Sequence, residues 1–347
     1  MAGRLAADPR LRFARRGHDP QVGDGMTGMP QHAGVIINPL AGRGNGKGQA
    51  LADTLKGDAG ISLHLLERFE HLEGVIDDMA RDRVTDLFIS SGDGTIQEIL
   101  TLIAERGGFP VLPRICLLPH GTTNLSANDL GFRSSSIAAQ AHFVRSLNAT
   151  ALVSRNTIRC ANPGDGKVRH GMFVGTGAIA VATRHCQQAF NDQGVKGQWA
   201  VAKTLMSAVG KYLFSAPDPA DQSRFDRPYA IRVEAGGRRI ADGMQLLHMS
   251  TTLDTLLLHS HPFWGGKTAP IRTTVLPYPV PSVLRWMLPI MYGGENHAAP
   301  EGAVSFSSDS LAVSSEAIFV IDGEFFPPPA GEALRLETGP LFTFVRG

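Results

Sequence analysis

Asp86-Leu87-Phe88-Ile89-Ser90-Ser91-Gly92-Asp93-Gly94-Thr95-Ile96-Gln97-Glu98-Ile99-Leu100 changes its periodicity in the middle. The apolar run 86–90 has the length of a buried strand. Ile96, Ile99, Leu100 and Ile103 then recur at helical spacing until Gly107 and Gly108 stop the helix. A strand feeding a helix through a glycine turn is the unit of a parallel α/β sheet. The turn suits an anion: its glycines remove Cβ atoms that would keep a phosphate away, and a helix start offers unpaired N–H groups. Asp93 is placed to hold Mg²⁺ through water, and Thr95 to cap the helix or donate to phosphate. An ordinary hairpin turn uses the same Asp-Gly, so this stretch alone leaves both readings open.

The pattern repeats outward. Gly34 to Asn38 is a β-branched run ending in the turn-forming cluster 39–48, followed by helix formers from Gln49 to Leu55. Leu63 to Leu66 predicts a strand and Leu72 to Ala80 a helix, and Ile115 to Leu118 is a strand ending in Pro119-His120-Gly121-Thr122-Thr123-Asn124. Three strands thus deliver polar loops to one carboxyl edge, where open α/β sheets bind ligands. Beyond residue 150 short alternating runs take over, at Tyr229 to Glu234, Gly243 to Met249 and Ala317 to Ile321, with a breaker-poor helical stretch from Lys196 to Phe214. The expected organisation is a flexible tail over 1–33, an α/β nucleotide-binding domain with a parallel sheet over 34–150, and a mainly-β, sandwich-like substrate domain over 151–347, with its C-terminal segment free to pack back on the first.

Composition narrows the function. The chain has 347 residues, with 33 Lys and Arg against 32 Asp and Glu, which is not the basic field of a nucleic-acid binder. No stretch approaches the roughly 18 apolar residues of a membrane span, so a soluble, cytoplasmic protein is expected. Cys116, Cys160 and Cys186 lack C-x-x-C spacing, and Cys186 beside His185 reads as inert. Arg4, Arg10, Arg12, Arg15 and Arg16 precede no apolar h-region, against a secretory signal.

The loop from Asn38 to Gly48 combines glycines with Arg43 and Lys47, two candidate phosphate partners, but lacks the G-K-[ST] ending of a Walker A loop. Taken together, Asn38-Pro39-x-x-Gly42, Gly92-Asp93-Gly94-Thr95-x-x-Glu98 and Pro119-x-Gly121-Thr122-x-Asn124 resemble the catalytic domain of diacylglycerol kinases and of their sphingosine, ceramide and bacterial lipid kinase relatives. The likeness continues through Phe173 to Gly177, Gly293-Gly294-Glu295-Asn296-His297 and Ile321-Asp322-Gly323-Glu324, spanning roughly residues 34 to 330.

That resemblance implies ATP and Mg²⁺ as cofactors and transfer of the γ-phosphate to a lipid hydroxyl, diacylglycerol or a related glycerolipid, in a cleft between the domains. Asp322 would be the base, Asp93 and Glu324 would hold magnesium, and the three loops, from Asn38 to Asn124, would hold the nucleotide. Asp322-Gly323 reads equally well as a hairpin turn. A sphingosine or ceramide kinase, an NAD kinase-like enzyme sharing the Gly-Asp-Gly-Thr turn, and a degenerate nucleotide or lipid sensor stay open. Nucleic acid is not an expected partner, and a homodimer stays open. Three places depart from the family pattern. Ser91 replaces a glycine, which negative φ would permit. His120 stands at an apolar position and reads first as a surface-loop histidine. Phe263-Trp264-Gly265-Gly266-Lys267 lacks the acidic Asp-Gly of a structural magnesium site, and Lys267 is a candidate fixed charge in the metal's place. Val283 to Met291, with Trp286, is an apolar helical run that would cover the β domain or dip into a membrane interface.

Overall fold

The structure, a computed structural model, describes residues 31–146, 151–193, 221, 224–295 and 297–347. The chain divides into two compact units, Met1–Gln31 and His32–Gly347. All but one residue of the first, with most of the expected tail, lies outside the described residues, as does the helix expected over 196–214.

The second unit begins with four parallel strands, β1 (Ala33–Ile37), β2 (Ile61–Leu65), β3 (Asp86–Ser91) and β4 (Arg114–Pro119), in the spatial order β4-β3-β1-β2. Its helices are α1 (Ala41–Gly44), α2 (Lys47–Leu55), α3 (Leu72–Arg81), α4 (Asp93–Arg106), α5 (Leu125–Leu130) and α6 (Ile137–Ser146). Alternation along the strands builds two cores. Val35, Ile37, Phe88, Cys116 and Leu118 face Leu51 and Leu55 of α2 and Phe143 of α6, while Ile36, Leu87, Ile89, Ile115 and Leu117 face Ile76 of α3 and Ile99 and Leu100 of α4. Since α2 follows β1 on one face and α4 follows β3 on the other, the crevice between β1 and β3 is a topological switch point. Extended Gly92 opens α4, Asp93 lies in its positive first turn and Arg106 in its negative last turn, and Gly107 at φ +70° ends it.

The remaining strands are β5 (Ala151–Cys160), β6 (Arg169–Gly171), β7 (Phe173–Gly177), β8 (Tyr229–Ala235), β9 (Arg238–Ala241), β10 (Met244–Thr251), β11 (Ile271–Pro277), β12 (Val304–Ser308), β13 (Ser310–Ser315), β14 (Phe319–Ile321), β15 (Glu324–Phe326) and β16 (Leu334–Arg346). Helices α7 (Ala178–Gln193) and α8 (Val283–Tyr292) complete the described elements of regular helix. The pairings among β5 to β16 are antiparallel, and one core gathers Ile158, Val174, Ile231, Val275, Val313, Phe319 and Leu336 from seven of them. The fold is α/β plus β-rich. Strand β16 joins the halves: it runs antiparallel to β5 and β13, then lies beside β4 in parallel, with Phe344 opposite Ile115.

Phe342 and Phe344 are fully buried in the same core as α4. Phe344→Ala should cost about 3–5 kcal/mol through lost transfer energy and the cavity left behind, read as a lower urea midpoint with an unchanged slope. A change under about 1 kcal/mol would mean that β16 is not a tie between the halves.

Candidate active site

The loops after β1, β3 and β4 are fastened to one another by backbone. Asn38 donates its N–H to Ser90 O (3.0 Å) and its Nδ2–H to Thr95 Oγ1 (3.2 Å), while its Oδ1 accepts the Leu40 N–H (3.0 Å). Thr95 is therefore not the cap of α4, a position held by Gly92. Gly42 has φ +56°, and a Cβ there would lie 2.5 Å from His120 O. A Cβ on Gly121 would stand 2.6 Å from the Gly92 Cα, so the second and third loops touch glycine to glycine. Pro39, Lys47 and Thr122 are half-buried in these loops; of Arg43 only the backbone, in α1, is described. Ser91 has no positive φ, so serine fits there.

His120 corrects the expectation of a surface histidine. It is buried, its Nδ1 lies 2.7 Å from Ser90 Oγ, and burial pushes its pKa down to about 4, with Gln140 opposing and the Lys47 charge adding to the fall. A neutral imidazole thus props the third loop against β3. The signal was its position directly after the buried strand Ile115 to Leu118.

Asp93 reaches from the start of α4 to the start of α5, accepting the N–H groups of Leu125 (3.0 Å) and Ser126 (3.1 Å). Burial raises its pKa, those two donors lower it, and the Glu324 charge raises it again. Asp322 lies within electrostatic reach of Asp93, in the two-residue turn of the β14–β15 hairpin, at φ +47° and followed by Gly323 at φ +91°. The turn reading and the site reading of Asp322-Gly323 are therefore compatible. Its carboxylate accepts N–H donors from Met172 (3.0 Å) and Phe173 (2.8 Å), yet burial and the Asp93 charge push its pKa up to about 8. Glu324 is exposed, and a Cβ on Gly94 would lie 2.8 Å from its Oε1, so the hairpin lies against the first turn of α4.

Gln97 fixes that approach: from the buried side of α4 it donates to Ile321 O (3.1 Å) across 224 residues of sequence. Sequence reasoning missed it, although an amide between Ile96 and Ile99 is a polar residue without a local partner. Met172 and Phe173 were also missed as donors, because backbone N–H groups carry no side-chain signature. Glu98 is half-buried and forms no ion pair with another described residue.

Asp93, Asp322 and Glu324 form no ion pair with a Lys or Arg among the described residues, so a cation suits them. No group of three His, Cys, Asp or Glu side chains is close enough to enclose a metal among the described residues; a cation there would share its coordination with a ligand. Near Lys267, its Nζ lies 3.1 Å from Asp254 Oδ1, Arg155 binds the other Asp254 oxygen and Arg272 stands 3.9 Å away. Asp254 thus already has protein cations around it. Cys116 and Cys160 are free thiols, and burial raises the pKa of both.

Asp322 binds its proton more tightly folded than unfolded, so stability falls as pH rises from the ordinary carboxylate range towards 8. Asp322→Asn keeps the side-chain shape and tolerates positive φ. In metal-free buffer it should unfold at a higher temperature than wild type at pH about 8, with the gap closing towards pH about 4. Calorimetry finding the variant less stable at both pH values would contradict a carboxyl held at the expense of stability.

Residues 32–154 match the family model of the diacylglycerol kinase catalytic domain. No curated protein sequence matches the chain significantly. Among solved structures, one named a "putative diacylglycerol kinase" from Bacillus anthracis is similar at TM-score 0.60 and 14% identity, covering 91% of this chain and 97% of its own. Another from the same organism, named a diacylglycerol kinase, is similar at TM-score 0.54 and 12% identity, covering 91% of this chain and 94% of its own. At such identities the likeness is one of fold. The comparisons thus give a match to the diacylglycerol kinase catalytic domain over residues 32–154, and a fold shared along most of the chain with these two structures.

Proposed function

We propose that the protein is an ATP-dependent lipid kinase that transfers the γ-phosphate to the hydroxyl of diacylglycerol or a related glycerolipid. The observation that carries this reading is the meeting of two carboxyl groups distant in sequence, Asp93 at the start of α4 and Asp322 in the β14–β15 turn, where the hairpin lies against the first turn of α4. The glycine contacts among the three loops and the first turn of α4 make an anion cradle for the triphosphate. Magnesium bound with the nucleotide would be held by Asp93 and Glu324, and its chemistry there is neutralisation of phosphate charge. Asp322 accepts the proton of the lipid hydroxyl as that oxygen attacks, while the Met172 and Phe173 N–H groups and the hairpin fix its direction. Phosphoryl transfer needs a base more for position than for strength, and Asp322 is positioned by two donors and a turn. Catalysis takes place at a membrane surface, since the acceptor is a bilayer component.

Incubation with γ-labelled ATP and magnesium should label diacylglycerol in preference to monoacylglycerol, sphingosine, ceramide and NAD. Label on NAD alone would make the chain an NAD kinase-like enzyme, and label on none would leave a nucleotide or lipid sensor. Asp322→Asn should lower kcat by roughly 10²–10⁴ with little change in KM for ATP, whereas Asp93→Asn should also raise the KM for ATP. Full turnover in Asp322→Asn would remove it as the base.

A further inference from the structure

We propose that helix α8 seats the protein on a lipid bilayer, with Leu284, Leu288 and Tyr292 entering the interfacial layer. The choice of partner rests on the lipid-kinase reading; the surface rests on geometry. These three side chains, 46%, 62% and 43% exposed, recur every four residues and so form one stripe along the helix. On the other side Ile290 is buried with Trp264, Leu276 and Val280, which fixes the helix to the β body. Its last turn is tied down as well: Tyr292 donates its hydroxyl to Leu258 O (3.2 Å), and Met291 O accepts the His261 N–H (2.9 Å). The stripe is therefore a rigid apolar edge.

Charge and size select the occupant. No Asp or Glu occurs from residue 255 to 294, and of the three Lys and Arg there, Lys267 and Arg272 face Asp254. The remaining cation, Arg285, lies 5.6 Å from the Trp286 ring on α8 itself. An arginine and a tryptophan beside an apolar stripe match the headgroup level of a membrane, where anionic lipids attract the cation. Three partly exposed side chains offer on the order of a few hundred Å², short of the roughly 800 Å² per partner of a stable protein interface. The helix also belongs to the same packed body as the site: Leu247 packs both on the core beneath α8 and on the core containing Phe173, whose N–H holds Asp322.

The test uses the full chain and vesicles of phosphatidylcholine with and without phosphatidylglycerol. Wild type and Leu341→Ser, which removes a comparably exposed leucine (56%) elsewhere, should co-sediment with the mixed vesicles. The double variant Leu284→Ser/Leu288→Ser should bind at least about tenfold more weakly while keeping the wild-type unfolding temperature. It should also phosphorylate a short-chain diacylglycerol dissolved as monomer at the wild-type rate, yet act poorly on vesicle-borne diacylglycerol. Equal vesicle binding by the double variant and wild type, or no binding by wild type, would overturn the proposal. So would a wild-type dimer that the double variant abolishes, because a second copy would then cover the stripe. Failure to phosphorylate any lipid, dissolved or in vesicles, would defeat the kinase reading instead, and the sedimentation result would still decide the surface.

Discussion

A carboxyl group buried between two protein layers organises much of this molecule. Removing a carboxylate from water costs several kcal/mol unless donors meet it, and here the donors are the backbone N–H groups of Met172 and Phe173 at the start of β7. That arrangement fixes the β14–β15 hairpin against β7, and β7 in turn pairs with β10. The donors do not fully offset the burial or the neighbouring Asp93 charge, so Asp322 keeps a high proton affinity in the folded state. Strain of this kind is characteristic of sites where a titratable group is held for use rather than for stability.

The loops and the hairpin approach one another because side chains are missing at particular places. Gly92 and Gly121 let two loops touch at their Cα atoms, Gly94 admits Glu324, and Gly42 lets the first loop lie under the carbonyl of His120. A methyl group at these positions would push apart elements that are rigidly anchored elsewhere by fully buried strands. The loops are held by what is packed beneath them: neutral His120 against Ser90, Gln97 against Ile321, and Asp93 against the start of α5. Precision at the site comes from the two α/β cores and from β16, which carries the order of one half into the other.

Charge is balanced differently around Asp254. Asp254 and the buried Asp129 share a network with Arg155, Lys267, Arg272 and Arg346, which ties α5, β5, β11 and the C-terminal end of β16 together. Among the described residues Asp93, Asp322 and Glu324 have no such cations, and this contrast separates them from the charge-balanced network around Asp254.

The sequence by itself determined the α/β half. Periodicity at 86–103, 34–55 and 115–118 is a local property, and it gave strands, helices and three loops at one sheet edge because each strand needs two apolar faces and each helix one. It also singled out Asp93, Asp322 and Glu324, through the resemblance of short local strings. What only the tertiary structure decided were relations between distant segments: that Asp322 faces Asp93, that Gln97 and the Met172 and Phe173 N–H groups hold the hairpin, that His120 is interior and that Thr95 does not cap α4. Those depend on burial and on backbone donors whose direction is set by packing, and neither is written in the identity of any single residue.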